Sequence, residues 1–196
     1  MVTKPDMTTQ TGRFIYYNDP SQTVLTLEDF EAPLTNLRRY CGQVDWSLLR
    51  HLALCVLLTP SWFPDYSANH LAALALHDLH ETIVGDMVTG LKKHCPEFVK
   101  IEDSWMRHVA SQLGLSDLLA DEEIQKVVKF IDYRALVVET WHTKHSAYVV
   151  VVEGQLPPTD KEKEIVDAVS RASSKTLWKV VKNALTKSLL VDGGWN

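Results

Sequence analysis

Leu71-Ala72-Ala73-Leu74-Ala75-Leu76-His77-Asp78-Leu79-His80-Glu81-Thr82-Ile83-Val84-Gly85-Asp86 is the stretch on which the reading of this chain turns. Its first six residues are uncharged helix formers, and Asn69 is placed to cap them, so a buried helix is predicted. A buried helix gains nothing from an imidazole and two carboxylates within two turns. Each costs free energy unless it is paired or holds a cation. At helical spacing His77 and Glu81 share a face, with Asp78 beside them. Gly85 stands where a C-cap glycine belongs, and Asp86 follows at the exit. An adjacent His-Asp pair can also satisfy itself inside a core, so partners elsewhere must decide between a site and a packed pair.

The rest of the chain sets the frame. Its 196 residues suffice for one domain with a substantial core. At 45% hydrophobic and 23% charged it has an ordinary globular balance. A net charge of −5 argues against broad binding to nucleic acid or anionic membranes, while leaving room for a local basic pocket. Cys41, Cys55 and Cys95 are odd in number and lack Cys-x-x-Cys spacing. Neither a disulfide framework nor a structural zinc cluster is expected, and a reducing compartment fits. Met1 to Gly12 is polar without an apolar signal core, and no apolar run is long enough to span a bilayer, so a cytoplasmic location is expected.

Outward from the central helix, the elements read as mainly α, in a single domain covering 1–196. Residues 1–11 are expected to form a flexible tail. Arg13 to Tyr17 and Thr23 to Leu25 are β-formers around the turn residues Asn18-Asp19-Pro20-Ser21, which predicts a small N-terminal β-hairpin. A helix is predicted from Thr26 to about Tyr40, turning Phe30, Leu34 and Leu37 inward and stopped by Gly42. Trp46 to Leu58 reads as a second helix, and Pro96 to Leu113 as another, closed by Gly114. Asp121 to about His145 places Ile124, Val127, Val128, Ile131, Ala135 and Val138 at helical spacing. Tyr148 to Val152 reads locally as a strand, with continued helix as the alternative. Lys161 to Leu190 gives one or two helices in a C-terminal extension, 161–196.

Three of these helices carry polar residues in apolar surroundings: His51, the His77-Asp78 pair, and Asp132. Two imidazoles and two carboxylates make a plausible divalent-metal site of nitrogen and oxygen donors. Such a set suits Mn, Co, Fe or Zn better than Mg.

The pattern His51…His77-Asp78…Asp132 resembles the HD-domain metal-dependent phosphohydrolases. His77-Asp78-Leu79-His80-Glu81, then Gly85-Asp86 and Leu91-Lys92, is similar to the HD-x-x-E-x-x-x-GD segment of their deoxynucleotidase branch. That branch includes bacterial 5′-deoxynucleotidases and phage deoxynucleoside triphosphohydrolases of the dATP type. Gly12-Arg13-Phe14-Ile15 with Pro20, Leu37-Arg38-Arg39-Tyr40, and Lys129…Asp132…Ala135…Glu139 agree with the phage-type members, so the resemblance covers roughly residues 11–145.

The resemblance implies an HD helical bundle with one divalent metal on His51, His77, Asp78 and Asp132. It gives catalytic roles to Glu81 and Asp86, and substrate binding to Arg39, Tyr40, Lys92 and Lys129. Glu139 is expected on the surface or behind a ligand. The implied activity is hydrolysis of a deoxynucleotide, foremost a dNTP, releasing deoxynucleoside and triphosphate by attack of metal-activated water at the α-phosphorus. The alternatives are a 5′-deoxynucleotidase acting on dNMP and a non-catalytic nucleotide-binding module. A homo-oligomer is implied, in the host cytoplasm if the chain is phage-encoded. Three positions depart from the pattern: Arg50 and Leu52 flank His51 where Gln and Ser are usual, and Gly90 replaces a common proline; the spacing from Arg39 to His51 is also a little short.

Overall fold

A computed structural model of the chain describes residues 4–143 and 156–191, without the side chains of 187–191. The expected strand at Tyr148–Val152 lies outside the described residues.

A hairpin opens the chain, but from other residues than predicted. β1 (Met7–Thr8) pairs antiparallel with β2 (Phe14–Ile15), Met7 standing opposite Ile15. The connection runs through Gly12 at φ +89°, a left-handed value that glycine adopts without strain. Thr23–Leu25 is not a strand, and Pro20–Gln22 forms a short 3₁₀ turn instead. Residues that look like a loose tail are held by their polar groups. The Thr9 and Thr11 hydroxyls donate to the Asp29 carboxylate, and Asp6 accepts from the Tyr17 amide at 2.8 Å. Fully buried Ile15 then docks the hairpin on the core.

α1 (Glu28–Asn36) turns Phe30 and Leu34 inward as expected, but stops four residues before Tyr40. From Leu37 the chain is extended. The Arg39 amide donates to the Trp46 carbonyl at 2.9 Å and the Leu48 amide to the Leu37 carbonyl at 2.9 Å. This pairing also seats Trp46 in the core, a gain that another helical turn would forfeit. At its tip Tyr40 and Cys41 have φ of +56° and +53°.

α2 (Leu48–Trp62) is capped by Ser47, which accepts from the Arg50 amide. α3 (Ala68–Leu76) is capped by Ser67 and His70 in a reciprocal box, rather than by Asn69. Short helices α4 (Glu81–Val84) and α5 (Thr89–Lys92) lead into α6 (Pro96–Gln112), α7 (Ser116–Ala120) and α8 (Glu122–Thr143). α9 (Asp160–Arg171) and α10 (Ser174–Val191) complete the described chain. α2 and α3 lie at the centre, α3 packed against α2, α8 and α10, and α2 also against α1, α8, α9 and α10. The C-terminal helices therefore join the core, burying Val166, Val169, Leu177, Val181 and Leu185. Among the described residues no helix is long and apolar enough to cross a membrane.

α8 and α9 are joined by a buried ion pair. Arg134 holds both Glu162 oxygens at 2.6 Å, while the Trp62 indole and the Thr159 amide donate to the same carboxylate. Burial raises the Glu162 pKa, but Arg134 and these donors outweigh it and bring the carboxyl down to about 2. A depressed carboxyl contributes stability above its unfolded pKa and loses it as pH falls through the folded one. Glu162→Gln should therefore destabilise the protein by about 3 kcal/mol at neutral pH. The deficit should shrink as pH drops from about 4.5 towards about 2. Thermal unfolding of both proteins across that range checks this; a pH-independent deficit would contradict it.

Candidate metal centre

The four predicted ligands converge. His51 comes from α2 and Asp132 from α8, while His77 and Asp78 lie in the turn after α3. His51 Nε2 is 3.2 Å from His77 Nε2, 3.2 Å from Asp132 Oδ1 and 3.5 Å from Asp78 Oδ2. His77 Nε2 is 3.3 Å from Asp78 Oδ2 and 3.7 Å from Asp132 Oδ1.

The outer faces of the imidazoles explain why their Nε2 atoms point at one another. His77 Nδ1 lies 2.7 Å from the Leu74 carbonyl, which can only accept, so that nitrogen carries the proton. His51 Nδ1 lies 2.6 Å from Glu139 Oε1, both groups being fully buried. In the neutral rings both Nε2 lone pairs then face one space together with two carboxylates. Lone pairs cannot satisfy each other, and a cation satisfies them all; this outer bonding is typical of metal-bound histidine. Without an ion, burial presses both imidazole pKa values down, as Arg39 does for His51. Neighbouring Cys55 and then the carboxylates of Glu139 and Asp132 at His51, and the carboxylates of Asp78 and Asp132 at His77, reverse this and bring both well up.

A fifth donor was not anticipated from the sequence. Buried Cys55, one turn beyond His51, has its sulfur 3.7 Å from His51 Nε2. His51, Cys55, His77 and Asp132 each offer a ligand atom within 4.8 Å of the others. The four-residue spacing from His51 was the available signal.

The centre opens into a cleft of about 350 Å³ lined by Arg39, Tyr40, Asp78, Glu81, Asp86, Lys92, Asp132 and Leu136, with Met87–Thr89 at its edge. Across residues 76–83 the backbone tightens to i→i+3 bonds: Leu79 to Leu76, Glu81 to Asp78 and Ile83 to His80. Residues three apart nearly eclipse in such a turn. Asp78 and Glu81 therefore line the cleft together, and the face predicted for His77 with Glu81 does not form. Gly85 ends the segment at φ +90°, as its position implied.

Each remaining site residue has a definite place. Arg39 Nη1 is 3.4 Å from Asp78 Oδ2 and its Nε is 3.4 Å from Glu139 Oε2. The Tyr40 hydroxyl donates to Glu139 Oε2 at 3.0 Å, and burial with the Glu139 charge raises its pKa. Lys92 Nζ is 2.6 Å from Glu102 Oε1 and 3.6 Å from Glu81 Oε1. Sequence reasoning missed Glu102, because nothing local links α6 to the cleft. Glu81 is buried with Oε2 unpartnered; burial, then Asp78 and Asp86, push its pKa up to about 9. Asp86 is raised too, chiefly by burial. Lys129 is exposed on α8 and is not among the residues lining the cleft.

No protein-family model matches the chain. The uncharacterized protein YfdR of Escherichia coli (strain K12) is 25% identical over 133 residues, which are 67% of this chain and 68% of that protein.

Glu139→Gln tests the outer bonding. The amide keeps the shape but loses the charge that fixes the His51 tautomer. Divalent-metal affinity should fall on the order of 10–100-fold, measured by competition with a chromophoric chelator on folded protein. Unchanged affinity would show that Glu139 serves packing alone.

Proposed function

We propose that the chain is a metal-dependent phosphohydrolase acting on deoxynucleotides. The observation that carries this is the paired Nε2 lone pairs, closed by two carboxylates and opening onto a cleft that holds an unpartnered protonated carboxyl and two cationic side chains. The deoxynucleotide class rests on the sequence resemblance.

His51, His77, Asp78 and Asp132 would hold the ion. A divalent metal so bound supplies Lewis-acid polarisation of a phosphoryl oxygen and a water acidic enough to attack near neutral pH. The chain's own groups do the rest. Arg39, anchored by Asp78 and Glu139, presents its guanidinium to phosphate oxygens. Lys92 does the same from the α5 side, held there by Glu102. Glu81 keeps a proton through neutrality and has a bare Oε2, so it is placed to protonate the leaving 5′ oxygen. Asp86, half-buried in the cleft wall, can accept from a sugar hydroxyl. Tyr40 borders the cleft with its hydroxyl committed to Glu139, leaving only its ring to meet a base.

Charge and volume favour the monophosphate over the triphosphate. Arg39 and Lys92 are already paired with carboxylates, and exposed Lys129 stands apart from the cleft lining. A triphosphate would bring about four negative charges to a site that already holds the carboxylates of Asp78, Asp86 and Asp132. About 350 Å³ is also at the small end for ligand pockets. Purified protein incubated with each dNMP and dNTP plus Mn, Co or Zn should release deoxynucleoside and phosphate from dNMP. Tripolyphosphate from dNTP would restore the triphosphohydrolase reading, and no turnover of either with any metal would overturn the proposal. Asp78→Ala should abolish turnover and weaken metal binding. Glu81→Gln should keep the metal and lower the rate on the order of 10²-fold or more; loss of metal from that variant would make Glu81 a ligand instead.

A further inference from the structure

We propose that Cys55 is a thiolate ligand of this metal and that the centre consequently selects Zn²⁺ or Co²⁺ over Mn²⁺ and Mg²⁺. The inference rests on the metal reading above and goes beyond its nitrogen and oxygen donors. His51 and Cys55 are four apart on α2, so both side chains leave the helix on one face. A tetrahedral zinc ion with Zn–N near 2.05 Å and Zn–S near 2.3 Å separates nitrogen from sulfur by about 3.6 Å, and two nitrogens by about 3.3 Å. The corresponding distances here are 3.7 Å from Cys55 to His51 and 3.2 Å from His51 to His77. Asp132 Oδ1, at 3.2 and 3.7 Å from the two imidazoles, supplies the fourth corner. Asp78 approaches the same imidazoles from the cleft wall as a fifth donor.

The surroundings agree with ligation. Cys55 lies in a buried apolar stretch of α2 with Leu54, Val56 and Leu58, so packing alone would be served by another aliphatic side chain. A thiolate donor shifts a mixed site away from oxygen-seeking Mg²⁺ and Mn²⁺ and towards zinc-like ions. On binding, the thiol proton passes to solvent and no oxidation is involved.

The test uses the full chain with Cys41→Ser and Cys95→Ser, leaving Cys55 as the one thiol of the original three. Metal-free protein titrated with Co²⁺ should develop a near-ultraviolet thiolate-to-cobalt charge-transfer band at one ion per chain. Adding Cys55→Ser or Cys55→Val should remove the band, keep visible cobalt transitions, and weaken Zn²⁺ binding on the order of tenfold or more, with a smaller change for Mn²⁺. The valine variant maintains an apolar filling of similar volume, so full retention of Zn²⁺ affinity there would assign Cys55 to packing and overturn the inference. Co²⁺ bound by the sole-thiol protein without the band would overturn it too, leaving the metal reading intact. No Co²⁺ bound by any variant, wild type included, would overturn the metal reading and this inference together.

Discussion

A 2.6 Å hydrogen bond between two groups sealed from solvent, His51 and Glu139, governs the polar half of this molecule. A carboxylate carried to that depth needs more than one partner. Burial raises the Glu139 pKa, and the His51 and Arg39 charges bring it back below its ordinary value, with the Tyr40 hydroxyl donating as well. The bond ties α2 to α8 and turns His51 Nε2 towards His77, Asp78 and Asp132. It also explains the loop after α1, because Arg39 and Tyr40 both reach Glu139 from there. Tyr40 sits at φ +56° to do so, a conformation that costs a bulky residue on the order of 1–2 kcal/mol.

Charge in the cleft follows from the same economy. Asp78, Glu81, Asp86 and Asp132 line a small space, and Arg39 and Lys92 are the cations lining it. Neither stands loose: Arg39 spans Asp78 and Glu139, and Lys92 is drawn to Glu102 on α6. Cations fixed in this way have little side-chain freedom left to lose to an anionic ligand, as the proposed phosphohydrolase would require.

Much of this was legible in the sequence, for physical reasons that differ by region. Helices α2, α6 and α8 follow from apolar spacing and from Pro96 and Gly114, which act locally. That His51, His77, Asp78 and Asp132 would come together was legible because polar groups in apolar helices need a reason to be there. The hairpin was misplaced because Thr9 and Thr11 owe their order to Asp29, twenty and eighteen residues away. The end of α1 was misjudged because Leu37 to Arg39 pair with Trp46 to Leu48, a tertiary gain that propensity does not register. The His77–Glu81 face failed because the backbone tightens within the motif. Cys55 and Glu102 escaped notice as ordinary residues whose meaning lies in what other helices bring to them.

The two imidazoles are secured in different ways, and heredity treats those ways differently. His77 gives its Nδ1 proton to a main-chain carbonyl, that of Leu74, which every residue at that position carries. His51 depends on the carboxylate of Glu139, which one nucleotide change can remove. Drift can rewrite residue 74 among helix formers without turning the first ring, whereas the second ring is hostage to a single codon. If the centre holds a metal as proposed, a lineage relaxing its hold on that ion would be expected to lose Glu139 early and the orientation of His77 last.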